Sequence, residues 1–489
     1  MVNFKNKNFE LLLLSIIILI LIFNILSLNQ VDVDNYKISR IDIVAGSDVE
    51  KYFNAGLLIS NKFLGITDTP NMPSIENMYY SNNGLLNILT GRAFTFPMFL
   101  SITFLPLLSL GLGYEIYLVL FTNIILIILS FISVKNFQKT FNTKNLTLPL
   151  AIFFLLPSVQ LALTNLFIEL FSSLLFINVA IYTKKIFYLD QKENKNIILF
   201  TIFLVSAALN HKLSLYICLL FLLSLIVMGL IRSKFVILPT AIFSTIIGFA
   251  LILSISNSPS LFGNEKGWGL GGYYTAYTGL YLPIDIYEGY CCKPLHNSTQ
   301  HPTYYLNHVL INGSCKDLQL SILEKNNKHF SNAVLLNEIN QKQNLDQSPC
   351  FSNLEIAKIF TSEITSLNGI NVYFKKFIFT NFIGCNYYLT ETKNVILNNL
   401  SNCGELEYFS NLNFLKVLLN FFEISTRLYV LIAFIKYLKS KKFKAVCINP
   451  FVFGYLVFIP LITTAEPRYF FHVFLPLIII AGMKNEKTK

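Results

Sequence analysis

The chain reads as an all-α polytopic membrane protein, and three observations lead there. Hydrophobic residues fill 54% of the 489 positions and charged residues only 13%, with a mean hydropathy of +0.55. The apolar residues gather into runs of about 20, the length a helix needs to cross a bilayer with its backbone polar groups satisfied internally. The lysines sit in short clusters between those runs, as membrane proteins mark their cytoplasmic loops. That placement also accounts for the net charge of +11. No basic, aromatic-studded domain exists to hold a nucleic acid, so the expected partner is membrane lipid and not nucleic acid.

Taken in order, the first span is 9–28. It is long for the apolar core of a secretory signal and no small-x-small cleavage site follows it, so it is read as retained. A polar loop from Asn29 to about Thr95 then leads into Ala93–Gly113, a stretch carrying Pro97, Pro106, Gly111 and Gly113. Those residues predict a helix that is broken or lies in the interface. If this stretch spanned, Lys135, Lys139 and Lys144 would fall outside and every later cluster would invert. With 29–113 taken as an outer segment containing interfacial helices, the spans are 114–134, 146–163, 165–183, 196–209, 213–231, 235–255, 412–435, 451–465 and 469–483. The inner loops then carry all the lysine clusters, and the short outer loops keep only Lys212 and Arg468. This is an arrangement of about ten transmembrane helices with both termini cytoplasmic.

Between spans seven and eight lies one large outer segment, 256–411, which separates an N-terminal module (1–255) from the last helices (412–489). It is Asn-rich and holds six of the eight cysteines: Cys291, Cys292, Cys315, Cys350, Cys385 and Cys403. An even number on the oxidising side suits disulfides, and six cysteines allow fifteen pairings. Cys218 and Cys447 remain, where free thiols are expected.

The outer face collects an uneven set of polar groups. Asp48 and Glu50 lie in Gly46-Ser47-Asp48-Val49-Glu50-Lys51-Tyr52, just beyond the first span. Glu169 stands at the outer end of a span. His211 and Lys212 fill one tight turn, and Glu466-Pro467-Arg468-Tyr469 another. A carboxylate partly shielded from water suits a general base. Acids beside Lys and Arg at membrane depth suit an anionic lipid head group, with the cations on phosphate. The bland reading is that short loops must be polar and that these charges anchor helix ends by snorkelling. Glu423 and Arg427, four apart in one span, are expected to face the same way and neutralise each other. The run Gly267-Trp268-Gly269-Leu270-Gly271-Gly272-Tyr273-Tyr274 reads as an interfacial aromatic belt, and His296, His301 and His308 fit no metal-site spacing.

Asp48 with Tyr52 four residues on, then Ala55 and Gly56, resembles the first-loop motif of the GT-C integral-membrane glycosyltransferases, in their aminoarabinose transferase and protein mannosyltransferase branch. Arg92-Ala93-Phe94-Thr95-Phe96-Pro97 is similar to that family's "R-P-P-L-Y" segment. Arg468-Tyr469-Phe470-Phe471, running into Leu475-Pro476-Leu477, resembles its late "R-Y-L-x-P" pattern. The likeness covers roughly 47–231 and the last spans. It departs where Val49 separates two acids that are often adjacent, and where one proline, Pro97, replaces a pair.

The resemblance implies an inverting hexosyl or pentosyl transfer from a polyprenyl-phosphate-linked sugar to a glycan, lipid or protein acceptor, outside the bacterial plasma membrane. Asp48 would be the general base. Glu50 and Glu169 would steady the acceptor or a divalent cation, without a dedicated metal-ligand set. Lys212, Arg468 and Arg92 would hold the donor phosphate, with His211, Tyr52 and Tyr469 as further candidates. Two competitors stand beside it: an O-antigen-type glycan polymerase or ligase, which relies on Arg and His in its large outer loop, and a lipid-linked-sugar flippase or other transporter, which places polar residues deep in several spans.

The cysteine placement gives a first prediction. In unreduced full-length protein, the six cysteines of 256–411 should resist alkylation under denaturation and react after reduction, as read by intact mass. Alkylation of all eight without reduction would refute the disulfides.

Overall fold

A computed structural model describes residues 7–28, 48–65, 94–143, 146–231, parts of 239–247, 414–439, 449–458 and 470–483, less a few single positions, together with 370, 374 and 377. The chain divides into two compact units, Met1–Phe262 with Phe382–Leu456 and Arg468–Lys489, and Gly263–Asn381 with Val457–Pro467; the packing below is that of the first. Among the described residues the regular elements are helices, without a strand.

The helices are α1 (Lys7–Leu28), α2 (Asp48–Leu64), α3 (Thr95–Ser109), α4 (Glu115–Phe141), α5 (Thr147–Leu155), α6 (Pro157–Thr164), α7 (Ile168–Phe187), α8 (Asn194–Ala208), α9 (Lys212–Ile231), α10 (Phe414–Lys439), α11 (Asn449–Phe453, running into a π-helical turn, Gly454–Phe458) and α12 (Phe471–Gly482). Two of them are long and apolar enough to cross a membrane, over Ile116–Phe141 and Ile168–Phe187. Apolar helices of 10–17 residues include Phe9–Ile25, Thr95–Ser109 and Phe471–Gly482. The most deeply buried helix is α7, which packs against α4, α8 and α12.

The helix ends gather at two poles. At one, Lys135 of α4 lies 2.6 Å from the Glu10 carboxylate of α1. Thr147 of α5 donates to Glu10 at 3.1 Å, and Lys184 of α7 stands 5.8 Å from the Phe141 ring. The end of α12 backs onto Pro149 and Leu146. At the other pole Phe94 N–H donates to Leu209 C=O at 2.8 Å, joining the start of α3 to the end of α8. Thr95 Oγ1 donates to Ser206 C=O at 2.9 Å, so the spare donors of one helix start meet the spare carbonyls of another helix end.

Three elements differ in detail from the sequence expectation. The expected single span 146–163 is two helices, because Leu156, ahead of Pro157, is extended (ψ 136°). The stretch around Pro97 and Pro106 forms one continuous helix, α3. Pro97 sits in its first turn, where a missing N–H costs nothing. The expected span 451–465 is described only as far as 458, and there it changes from α to π winding at Gly454.

Gly56 explains why α2 can lie along α3. A β-carbon there would stand 2.7 Å from Leu100 Cβ and 3.3 Å from the Pro97 carbonyl. The two helices run in the same sense, with the rings of Tyr52 and Phe96 6.0 Å apart at one end and Ser60 Oγ donating to Ser101 C=O at 3.1 Å further on.

The Glu423–Arg427 expectation holds in detail. Arg427 is fully buried and donates through Nε and Nη2 to Glu423 Oε1 at 3.1 and 2.8 Å. Ser158 N–H, at the start of α6, donates to Glu423 Oε2 at 3.1 Å, and Arg427 Nη2 reaches Ser158 Oγ at 3.3 Å. The guanidinium also lies 4.6, 5.8 and 5.0 Å from the rings of Phe470, Phe471 and Phe474.

Breaking a buried pair on one side leaves a bare charge, at about 3–5 kcal/mol, whereas replacing both partners with apolar residues is often neutral. Arg427→Met alone should therefore destabilise the protein in detergent by about that amount, and Glu423→Leu with Arg427→Met should recover most of it. Equal loss in the single and double variants, measured by thermal unfolding, would refute this account.

Candidate functional site

The candidate site grows from the pole where α2, α3, α7 and α12 begin. Glu169 falls in the first turn of α7, where a carboxylate suits the positive end of the helix dipole. It is 1% exposed. The chain enters α7 through Leu166, buried and held at φ 54°, a left-handed conformation that costs a β-carbon residue about 1–2 kcal/mol. This turn fixes where Glu169 emerges. One turn further on, Ser172 and Ser173 share its face.

Around this carboxylate lies a buried polar cluster drawn from four further stretches of chain. Asn210 Nδ2 donates to Ser172 Oγ at 2.6 Å, tying the α8–α9 turn to α7. The next residue, His211, has its ring 5.4 Å from that of His472. His472, fully buried in the first turn of α12, stacks on Tyr455 at 4.2 Å. The Tyr455 and Ser214 hydroxyls share a hydrogen bond of 2.7 Å, and the Glu169 carboxylate is within electrostatic reach of Tyr455. Ser173 Oγ donates to the Phe471 carbonyl, which pins α12 to α7. The assembly sets a buried carboxylate, a buried and a half-buried imidazole and a buried phenol at one pole, side chains whose chemistry suits handling a proton.

The residues picked out by sequence fall into three groups. Glu169 and His211 belong to this cluster. Tyr52 is buried beside it: its ring meets Phe96, and Phe96 meets Phe171, two residues from Glu169, at 5.7 Å. Asp48 and Glu50 stand in the first turn of α2, one turn before Tyr52, and Lys212 opens α9; their side chains lie outside the described residues. So do Arg92, Arg468, Tyr469, the cysteines and histidines of 256–411, and the 267–274 aromatic run. Arg468 and Tyr469 immediately precede the Phe470–Phe471 start of α12, which the cluster holds. Cys218 is a buried free thiol, as expected. Among the described residues no group of three or more His, Cys, Asp or Glu could hold a metal ion.

Sequence reasoning missed Ser172, Ser173, Asn210, Ser214, Tyr455 and His472. A signal was present: Glu169, Ser172 and Ser173 recur at helical i, i+3, i+4 spacing inside an apolar run, which marks one polar stripe. No family model, no curated protein and no solved structure matches this chain.

Ser214→Ala removes the partner of a buried phenol and should cost about 1–3 kcal/mol. Adding Tyr455→Phe to Ser214→Ala should recover part of that loss. A Ser214→Ala protein as stable as the parent in thermal unfolding would show that the hydroxyl pair contributes nothing.

Proposed function

We propose that the chain is a multi-pass membrane glycosyltransferase of about ten spans, with both termini cytoplasmic and its site on the outer side of a bacterial plasma membrane. It would move a sugar, with inversion, from a polyprenyl-phosphate carrier to an acceptor hydroxyl. The observation that carries this reading is the meeting of four chain segments at one pole. The start of α2 with Asp48, the start of α7 with Glu169, the His211–Lys212 turn and the start of α12 are linked by Tyr52–Phe96–Phe171, Asn210–Ser172 and Ser173–Phe471. Further support comes from the opposite pole, where the ends of α1, α4, α5, α7 and α12 meet and α4 and α7 carry Lys135, Lys139, Lys184 and Lys185.

In this reaction Asp48 accepts the proton of the acceptor O–H, and the freed electron pair forms the new bond to the anomeric carbon. The bond from that carbon to the phosphate oxygen breaks with its electrons leaving on phosphate. Phosphate departs without a proton, so a single carboxylate suffices, unlike the pair of an inverting glycosidase. Lys212, Arg468 and Arg92 hold the phosphate, and Glu169 with Glu50 steadies the acceptor or a divalent cation.

A second reading is a proton-coupled transporter of lipid-linked sugars. It is favoured by the buried Glu169, His472 and Asn210 and by the Glu423–Arg427 pair, because transporters place such groups at membrane depth.

In membranes supplied with radiolabelled polyprenyl-phosphate sugar, Asp48→Asn should lower transfer about 10²–10⁴-fold, the usual contribution of a general base. Lys212→Met and Arg468→Met should weaken donor binding. Full transfer activity in Asp48→Asn rules out this assignment of the base. Unchanged carrier flux in Asp48→Ala, with no transfer in any variant, selects the transporter.

A further inference from the structure

The pole opposite the candidate site gathers four cations that pair with no described acid. Lys139 lies in the last turn of α4, Lys184 and Lys185 in the last turn of α7, and Lys195 in the first turn of α8. Packing holds these helix ends together, since α7 lies against both α4 and α8. The Lys184 ammonium stands 5.8 Å from the Phe141 ring at the end of α4 and 5.1 Å from the ring of Tyr188. Gln191 N–H donates to the Lys185 carbonyl at 2.9 Å, and Asn196 Nδ2 donates to the Gln191 carbonyl at 3.0 Å. That turn brings the start of α8 back beside the end of α7. Lys139 and Lys195 are both within electrostatic reach of Lys185, together with one acid, Glu193. Lys135 is committed to Glu10 at 2.6 Å. The neighbouring Lys144, Asp190 and Lys192 lie outside the described residues.

An apolar surface runs on from these cations along the same helix faces. On α8, exposed Lys195 continues at helical spacing into Ile198 and Ile202, 55% and 52% exposed. On α4, exposed Lys139 and Lys135 continue likewise into Ile132, 50% exposed. On α7, the Lys185 ammonium sits 4.8 Å from the ring of Tyr182, which stacks on Phe203 of α8 at 5.6 Å. Cations at one end and apolar side chains below them match a molecule with an anionic head and hydrocarbon tails. We propose that the ends of α4, α7 and α8 form a binding site for an anionic phospholipid, with its phosphate on Lys139, Lys185 and Lys195 and an acyl chain along Ile198 and Ile202. The phosphate relieves the mutual repulsion of the lysines and accepts charge-assisted hydrogen bonds from them. The site rests on the membrane placement of the bundle and not on the transfer reaction, so it would serve a transferase or a transporter alike.

The experiment titrates full-length, delipidated protein in detergent with phosphatidylglycerol or phosphatidylcholine of identical acyl chains, and reads bound lipid by native mass spectrometry. Phosphatidylglycerol should bind and phosphatidylcholine should not displace it. Lys139→Gln, Lys185→Gln and Lys195→Gln should each lower the affinity for phosphatidylglycerol by up to about fivefold, and the three together by about tenfold or more. The three corresponding Lys→Arg changes should preserve binding. Ile198→Gln with Ile202→Gln should weaken it, whereas Lys436→Gln with Lys439→Gln, at the end of α10, should leave it unchanged. Flotation with vesicles separates this test from the placement beneath it: a parent chain that does not float refutes the membrane placement and the site with it. For a chain that floats, any of four results overturns the site alone. These are equal binding of the two lipids, retention of phosphatidylglycerol by the triple Gln variant, an equal loss in the α10 pair, or displacement of the lipid by inorganic phosphate at the same concentration.

Discussion

The described bundle depends on how an apolar interior treats charge. Arg427 has no water to solvate it, and its five N–H groups must find acceptors or ring faces within the protein. It finds them on Glu423, Ser158 and three phenylalanines, and this choice of partners locks α10 to the start of α6 and the start of α12. A pair of this kind adds little net stability compared with apolar packing, but it admits few geometries. The start of α12 is therefore held from one side by a guanidinium and from the other by Ser173. The residues just before it, Arg468 and Tyr469, belong to the loop on which the proposed phosphate contact rests.

The same principle shapes the contacts at the start of α7. Ser173 donates to the Phe471 carbonyl, Ser172 accepts from Asn210, and Ser214 shares a hydrogen bond with Tyr455, so each ties one stretch of chain to another. The start of α3 satisfies its first N–H groups on carbonyls left over at the end of α8. Helix ends thus complete each other at the pole where the candidate site lies. The consequence for function is rigidity in the groups beneath the site, with the Phe96, Phe99 and Phe171 rings stacked between α3 and α7 as an apolar wall.

Much of this was legible in the residues, for identifiable reasons. Helix positions followed from the apolar runs, and the Glu423–Arg427 pairing followed from four-residue spacing in a setting that cannot leave either charge alone. Glu169 and His211 stood out because acids and histidines are scarce here. What could not be read was contact between distant segments. Tyr455 and His472 look like ordinary residues of apolar helices until Ser214 and His211 are brought against them. Gly56 looked like part of a motif, and its packing reason appears only once Leu100 lies across it. The break at Leu156–Pro157 was written in the proline but was outweighed by the apolar length of the run. A resemblance in three short motifs is silent on all of these.

The amide of Ser158 meets its acceptor 265 residues downstream, on Glu423. During biosynthesis the ribosome has therefore made both pieces of the interrupted 147–164 segment, and the whole of 256–411, before that backbone group can be satisfied. The early helices wait as an unfinished assembly, open at a polar notch, until the late helix arrives carrying its own arginine. A chain cut short anywhere before residue 423 would leave that notch open permanently.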